Sequence, residues 1–188
     1  MKRVPHLYAP LVAVLLTVGL AVPARGQTAA ADPGDVESLD AIIEALYDVI
    51  SGPAGEDRDW DRFRSLFAEG ARLIPTGRNA EGQVRFQVWS PDEYVERAGS
   101  SLMESGFFER EIGRVEERFG NIIHVFSTYD SKRSLDDAEP FARGINSIQV
   151  LEGNGRFWVV SIFWDSERPD NLIPNKYKFQ HRDRRPNR

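Results

Sequence analysis

"FGNIIHVFSTYD" (Phe119–Asp130) and "FARGINSIQVLEGNGRFWVVSIFWDSERP" (Phe141–Pro169) decide the fold of this chain. They read as three long, consecutive antiparallel strands. Gly153, Asn154, Gly155 and Arg156 supply the positive-φ residues of a tight hairpin, so Ile148–Glu152 should pair back onto Phe157–Trp164. Asn121–Asp130 is rich in β-branched and aromatic residues, which suit a pleated surface. On Phe157–Trp164 both parities are largely apolar: Phe157, Val159 and Phe163 on one, Trp158, Val160, Ile162 and Trp164 on the other. A strand apolar on both sides is expected to be covered on both sides.

Upstream, Asp35 is the expected N-cap of an amphipathic helix carrying Val36, Leu39, Ile42, Ile43, Leu46, Tyr47 and Ile50 at spacings of three and four. Ser51–Gly55 ends it. Asp59 caps a second, short helix with Asp61 in its first turn, where the dipole favours a negative charge; Phe63, Leu66 and Phe67 form its buried stripe. Gly70 breaks that helix, Ala71–Pro75 begins a strand, Thr76–Gln83 is a polar turn and Val84–Trp89 a returning strand. Ser90–Glu93 is a capping box with Pro91 at the first helical position, opening a third helix that stops near Gly106. Phe107–Glu117 is a further strand, Ser131–Pro140 a charged loop, and the chain beyond Asp165 should run extended over the surface. This order predicts an α+β layout, with helices on one face of a strongly bent sheet.

The 188 residues suit one domain, and 41% apolar content is enough for a core. Lys2 and Arg3, the apolar run Leu11–Val22 and the small residues of Ala24–Gln27 have the pattern of a secretory signal peptide over 1–26. That run is shorter than the roughly 20 residues a membrane anchor needs, so no anchor is expected after cleavage, and the chain should be periplasmic or secreted. Residues 27–34 read as a linker, 35–177 as the domain and 178–188 as a basic tail. Removing Lys2, Arg3 and Arg25 takes the net charge from −5 to −8. The segment from Asn175 holds +5, so the body between is at −13. An acidic body argues against nucleic acid as a partner.

At this point the order and wording resemble a known superfamily. "DWDRFRSLFAEGARL" (Asp59–Leu73) is similar to the helix-into-strand signature of the nuclear transport factor 2-like proteins, and "RGINSIQVLEGNGRFWVVSIFW" (Arg143–Trp164) to their closing hairpin. More narrowly the chain resembles exported SnoaL-like proteins of bacteria. The resemblance implies a cone, a cystatin-like α+β roll, in which a strongly curved antiparallel or mixed sheet packs against three helices. It also implies a pocket inside the cone for a small, largely apolar molecule. Enzymes of the superfamily place one or two acid–base residues there, which makes a cofactor-independent lyase or isomerase the alternative reading. Many relatives pair through the outer face of the sheet, so a homodimer or a non-catalytic interaction module is the third.

Candidate chemistry is sparse. Past residue 26 the histidines are His124 and His181, and there is no Cys, too few N and S ligands for an ordinary zinc site. No phosphate loop, dinucleotide fingerprint or nucleophile elbow occurs, so no metal or cofactor is called for. His124, mid-strand, is a candidate proton shuttle if it faces an apolar cone, and otherwise an outer-face residue bonded to a neighbouring strand. Glu111 shares a strand face with Glu109 and Phe107; a carboxylate buried there would have a raised pKa, whereas an alternating charged edge strand is the plainer reading. Asp61, with Asp59, resembles in position acidic residues of some family pockets and is equally explained as a first-turn charge. Arg143 is either a clamp for an anion or a cross-strand partner of Asp130 or Asp165. Tyr47, Trp60, Phe63, Phe67, Trp89, Tyr94, Tyr129, Asn146 and Trp164 are candidates to line the pocket alongside it.

Overall fold

Two residues with positive φ, Asn154 at 56° and Gly155 at 77°, turn the strand Ala142–Gly153 (β5) back onto Arg156–Ser166 (β6). Positive φ at both is the type I′ geometry, one of the two-residue turns whose twist matches the strands it joins. The structure, a computed structural model, describes residues 30–178. The expected signal peptide and the basic tail beyond Lys178 lie outside the described residues. Strand Ile122–Lys132 (β4) pairs antiparallel with β5 on one side and with Phe108–Phe119 (β3) on the other. Strands Phe67–Arg78 (β1) and Val84–Phe86 (β2) complete a six-stranded sheet in the order β2-β1-β6-β5-β4-β3. The fold is α+β, and the sheet is mixed, because β1 joins β6 in parallel.

Among the described residues four α-helices, Pro33–Val36 (α1), Leu39–Ile50 (α2), Trp60–Ser65 (α3) and Pro91–Ser105 (α4), accompany it. The single first helix expected from Asp35 is instead two. Asp32 caps α1, with Pro33 at its first position, and the Ser38 side chain accepts from the Ala41 N–H to start α2. Helical structure therefore begins inside the stretch expected to be a linker. The capping box at Ser90–Glu93 is present in both directions. Phe67 belongs to β1 rather than to the second helix, yet it is buried all the same. Ile42, Ile43, Leu46 and Val49 of α2 enter the same core cluster as Ile123, Val125, Ile148, Val150 and Val159 of the sheet.

The outer face of the sheet is covered unevenly. On β6, Val160 and Phe163 stay 40% and 49% exposed, so the strand expected to be buried on both sides is open on one. On β4 the second cover does form, because the chain returns across it: Tyr177 packs on Phe126 at 4.8 Å, and Thr128 Oγ1 donates to the Tyr177 carbonyl.

Arg58 ties the helices together at one end. It is 7% exposed, and its guanidinium donates to the carbonyls of Ile50 (3.1 Å), Gly52 (2.6 Å) and Leu102 (3.2 Å). The Ile50 and Leu102 carbonyls are end groups of α2 and α4, where a positive charge also complements the helix dipole, while the Gly52 carbonyl accepts from the Phe107 N–H as well. Arg58→Met keeps the apolar stem and strands the Ile50 and Leu102 carbonyls, which should cost about 3 kcal/mol in urea unfolding. A loss below about 1 kcal/mol would show that Arg58 is not the tie.

Candidate functional site

Strand parity on β4 divides the sheet into two chemical faces. Ile123, Val125, Ser127 and Tyr129 turn toward the helices, and His124, Phe126, Thr128 and Asp130 turn away. His124 is therefore on the outer face, where Nε2 lies 2.9 Å from Ser147 Oγ. Alternation alone left open which parity was inward, and His124 has the wrong one for a pocket residue. Arg143 lies on the same outer face and pairs with Glu167 at 2.7 Å, while Asp130 is held by Arg110. Asp61 is 80% exposed and pairs with Arg64. None of these three reaches the inside.

Between α2, α4 and the inner face of the sheet lies a cavity of about 120 Å³. Of the residues expected to line it, Tyr47, Phe63, Tyr94, Tyr129, Asn146 and Trp164 do so. Trp60 packs edge-on against Phe63, Phe67 lies behind Phe63 at 4.8 Å, and Trp89 sits behind Tyr94 and Trp164 at 6.5 Å from each. All three support the wall without forming it. Leu46, Ile50, Leu73, Phe107, Ile148 and Ile162 also line the cavity. Their core periodicity was readable, but periodicity does not distinguish a residue facing a void from one facing a neighbour.

A hydrogen-bonded chain runs out of this cavity. Asn146 Nδ2 donates to the Tyr47 hydroxyl (3.1 Å), which lies 2.6 Å from Ser127 Oγ, and Ser127 donates to Glu111 Oε1 (2.5 Å). Arg114 grips Glu111 through Nε at 3.0 Å and Nη2 at 2.8 Å, and reaches Asp40 with Nη1. Because Ser127 spends its proton on Glu111, Tyr47 must be the donor to Ser127. Its hydroxyl proton thus points away from the cavity. Burial, with the nearby charge of Glu109, pushes the Tyr47 phenol far up.

Glu111 is the pocket carboxylate the sequence suggests, and strict alternation along β3 would put Arg114, three residues on, on the opposite strand face. The register of β3 on β4 shifts between Glu111 and Gly113, a bulge at Ile112. One extra residue reverses parity beyond it, bringing Arg114 onto the face of Glu111 and closing the ion pair. Glu111 is thereby engaged by a cation outside the cavity.

Glu109, two residues earlier on the same face, is the carboxylate that lines the cavity. Ser131 Oγ donates to its Oε2 at 2.8 Å, and the Asn146 amide lies close enough to favour its charged form. As a residue Glu109 keeps some accessible surface, since it also borders an open groove between α2 and β3. It also shares the cavity with mostly apolar side chains. Desolvation dominates, and with the charge of Asp130 it outweighs Ser131 and Asn146, pushing the carboxyl up to about 7. Across from it Tyr94 stacks on Phe63, and among the described residues its hydroxyl has no protein partner. Gly144 makes room for the neighbouring Tyr129, since a Cβ there would overlap the Tyr129 hydroxyl and the Asp165 carbonyl.

No family model and no curated protein matches the sequence. Among solved structures, the chain is similar to a protein of unknown function with a cystatin-like fold from Nostoc punctiforme, at 10% identity and TM-score 0.48, over 67% of this chain and 86% of that one. It is similar also to a nuclear transport factor 2-like protein of unknown function from Silicibacter pomeroyi, at 18% identity and TM-score 0.45, over 69% and 92%. A third, a nuclear transport factor 2-like protein from Methylobacillus flagellatus, has 13% identity and TM-score 0.43, over 70% and 95%.

The raised carboxyl has a signed consequence for stability. Between about pH 4.5, its ordinary value, and about pH 7, folded Glu109 holds a proton that the unfolded chain has released. Stability from this group therefore falls as pH rises through that window and is level above it. Glu109→Gln removes the fall, so in urea unfolding the variant should gain on the wild type from about pH 5 to about pH 7. A gap that does not change with pH would contradict the raised carboxyl.

Proposed function

We propose that this is an exported pocket protein that binds a compact, largely apolar molecule in the cavity beside Glu109. The single observation that carries the reading is a cavity of about 120 Å³ walled by aromatic and aliphatic side chains, with one carboxyl turned into it. Ligand sites have this composition: mostly apolar walls and a few placed polar groups. Export is supported by the basic, then apolar, then small-residue pattern of residues 1–26.

A second reading, cofactor-independent acid–base chemistry of the lyase or isomerase kind, is favoured by Glu109 and Tyr94 facing one cavity. A carboxyl near 7 can take a proton and return it at ordinary pH, and the Tyr94 hydroxyl is a donor for a developing negative charge. In this reading Glu109 takes the role expected of His124 or Glu111. A third reading, a homodimer through the outer face, draws on Phe119, Ile122, Val160 and Phe163, which are 84%, 61%, 40% and 49% exposed.

Native mass spectrometry of the protein from its own host separates these readings. The expected spectrum shows a small molecule retained on the chain and lost in Ile148→Trp, which fills the cavity while the fold persists by circular dichroism. An apo mass at twice the chain, unchanged by that substitution, would overturn the pocket reading in favour of the dimer.

A further inference from the structure

Among the described residues, carboxylates left with little exposed surface come with an arginine. Glu111, Asp35, Asp130 and Glu167 have side chains only 11%, 14%, 10% and 11% exposed, and each is ion-paired, to Arg114, Arg62, Arg110 and Arg143 respectively. Glu109 breaks the pattern. It takes a hydrogen bond from the neutral Ser131 with the neutral Asn146 alongside, and among the described residues no Arg, Lys or His lines the cavity it faces. Inside the cavity the titratable groups facing it are Tyr47 on α2, Tyr94 on α4 and Tyr129 on β4; Glu111 and Asp130 stand nearby, and the cations Arg110, Arg114 and Lys132 share with it only the outer groove. A buried carboxylate without a counter-charge is costly, and what would relieve it is a cation.

We infer that the cavity takes a ligand carrying a protonated amine on a ring-sized apolar body, the ammonium seated on Glu109. This rests on the cavity being a ligand site. Its 120 Å³ is close to the roughly 150 Å³ that holds a benzene ring in an engineered apolar cavity, which bounds the body to about one ring. Tyr94 and Trp164 present aromatic surface in the same wall, and ring faces attract ammonium groups. The approach has the right sign. The open groove beside the cavity shares Tyr47 and Glu109 with it, and α2 contributes Glu44 to its edge together with Asp40 and Asp48, which pair with Arg114 and Arg62. Of the cations in that groove, Arg110 and Arg114 are held by Asp130 and Glu111, and Lys132 bonds the Asp137 carbonyl. An anionic ligand would meet acidic groups outside and a carboxylate within.

Three probes of one shape test this by ligand-observed NMR on the protein purified from its host: cyclohexylamine, cyclohexanol and cyclohexanecarboxylate. At about pH 8, above the Glu109 value of about 7, the amine should bind about tenfold or more tighter than the alcohol, and the carboxylate should not bind. Glu109→Gln should erase the amine's advantage over the alcohol. An alcohol that binds as well as the amine overturns the inference and leaves the pocket reading standing. An amine preference that survives Glu109→Gln places the cation in the outer groove and also overturns it. If no probe binds and Ile148→Trp changes no spectrum, the pocket reading falls and the inference with it.

Discussion

Tyr47 crosses from α2 to the sheet with its hydroxyl at the buried end, and a phenol placed there must be hydrogen-bonded or destabilise the fold by several kcal/mol. Much of the inner architecture answers that demand. Ser127 stands 2.6 Å away on β4 and Asn146 3.1 Å away on β5. Ser127 then needs an acceptor, which is Glu111, and Glu111 needs a cation, which is Arg114. Each step moves charge further toward the surface, ending at Asp40, 89% exposed. The helix is thereby fixed to the sheet by a polar chain whose every member is partnered, the condition under which such a network adds rigidity.

The chain leaves one group out. Glu109 stands on the same strand face as Glu111 but before the bulge, so the arginine that reaches one carboxylate does not reach the other. The cavity exists next to it because large rings, Tyr94, Trp164 and Phe63, meet there at angles that do not close the space. Binding and acid–base behaviour both follow from this pairing of void and uncompensated carboxyl. The known fold likenesses do not choose between them.

Much of the scaffold was legible because local chemistry specifies it. Asn154-Gly155 can hardly be anything but a tight hairpin, and the Ser90–Glu93 capping box starts a helix wherever it is placed. The site was legible only as residue types. Period two says that His124 and Val125 face opposite ways but not which is inward, so His124 looked as eligible as any. A bulge at Ile112 leaves no mark that a reader of alternation would trust, yet it decides that Glu111 is paired and Glu109 is not. The parallel pairing of β1 with β6 joins segments far apart in the chain, and nothing local encodes it. Arg58 was passed over for a related reason: its partners are backbone carbonyls, which sequence does not display.

The most direct test of this account is the titration of the Glu109 carboxyl carbon by ¹³C NMR, its signal assigned by loss in Glu109→Gln. The account predicts a midpoint of about 7, as desolvation in a cavity without a counter-charge requires. A midpoint at the ordinary 4.5 would mean that water or a cation already reaches the carboxyl, and the central claim would fail.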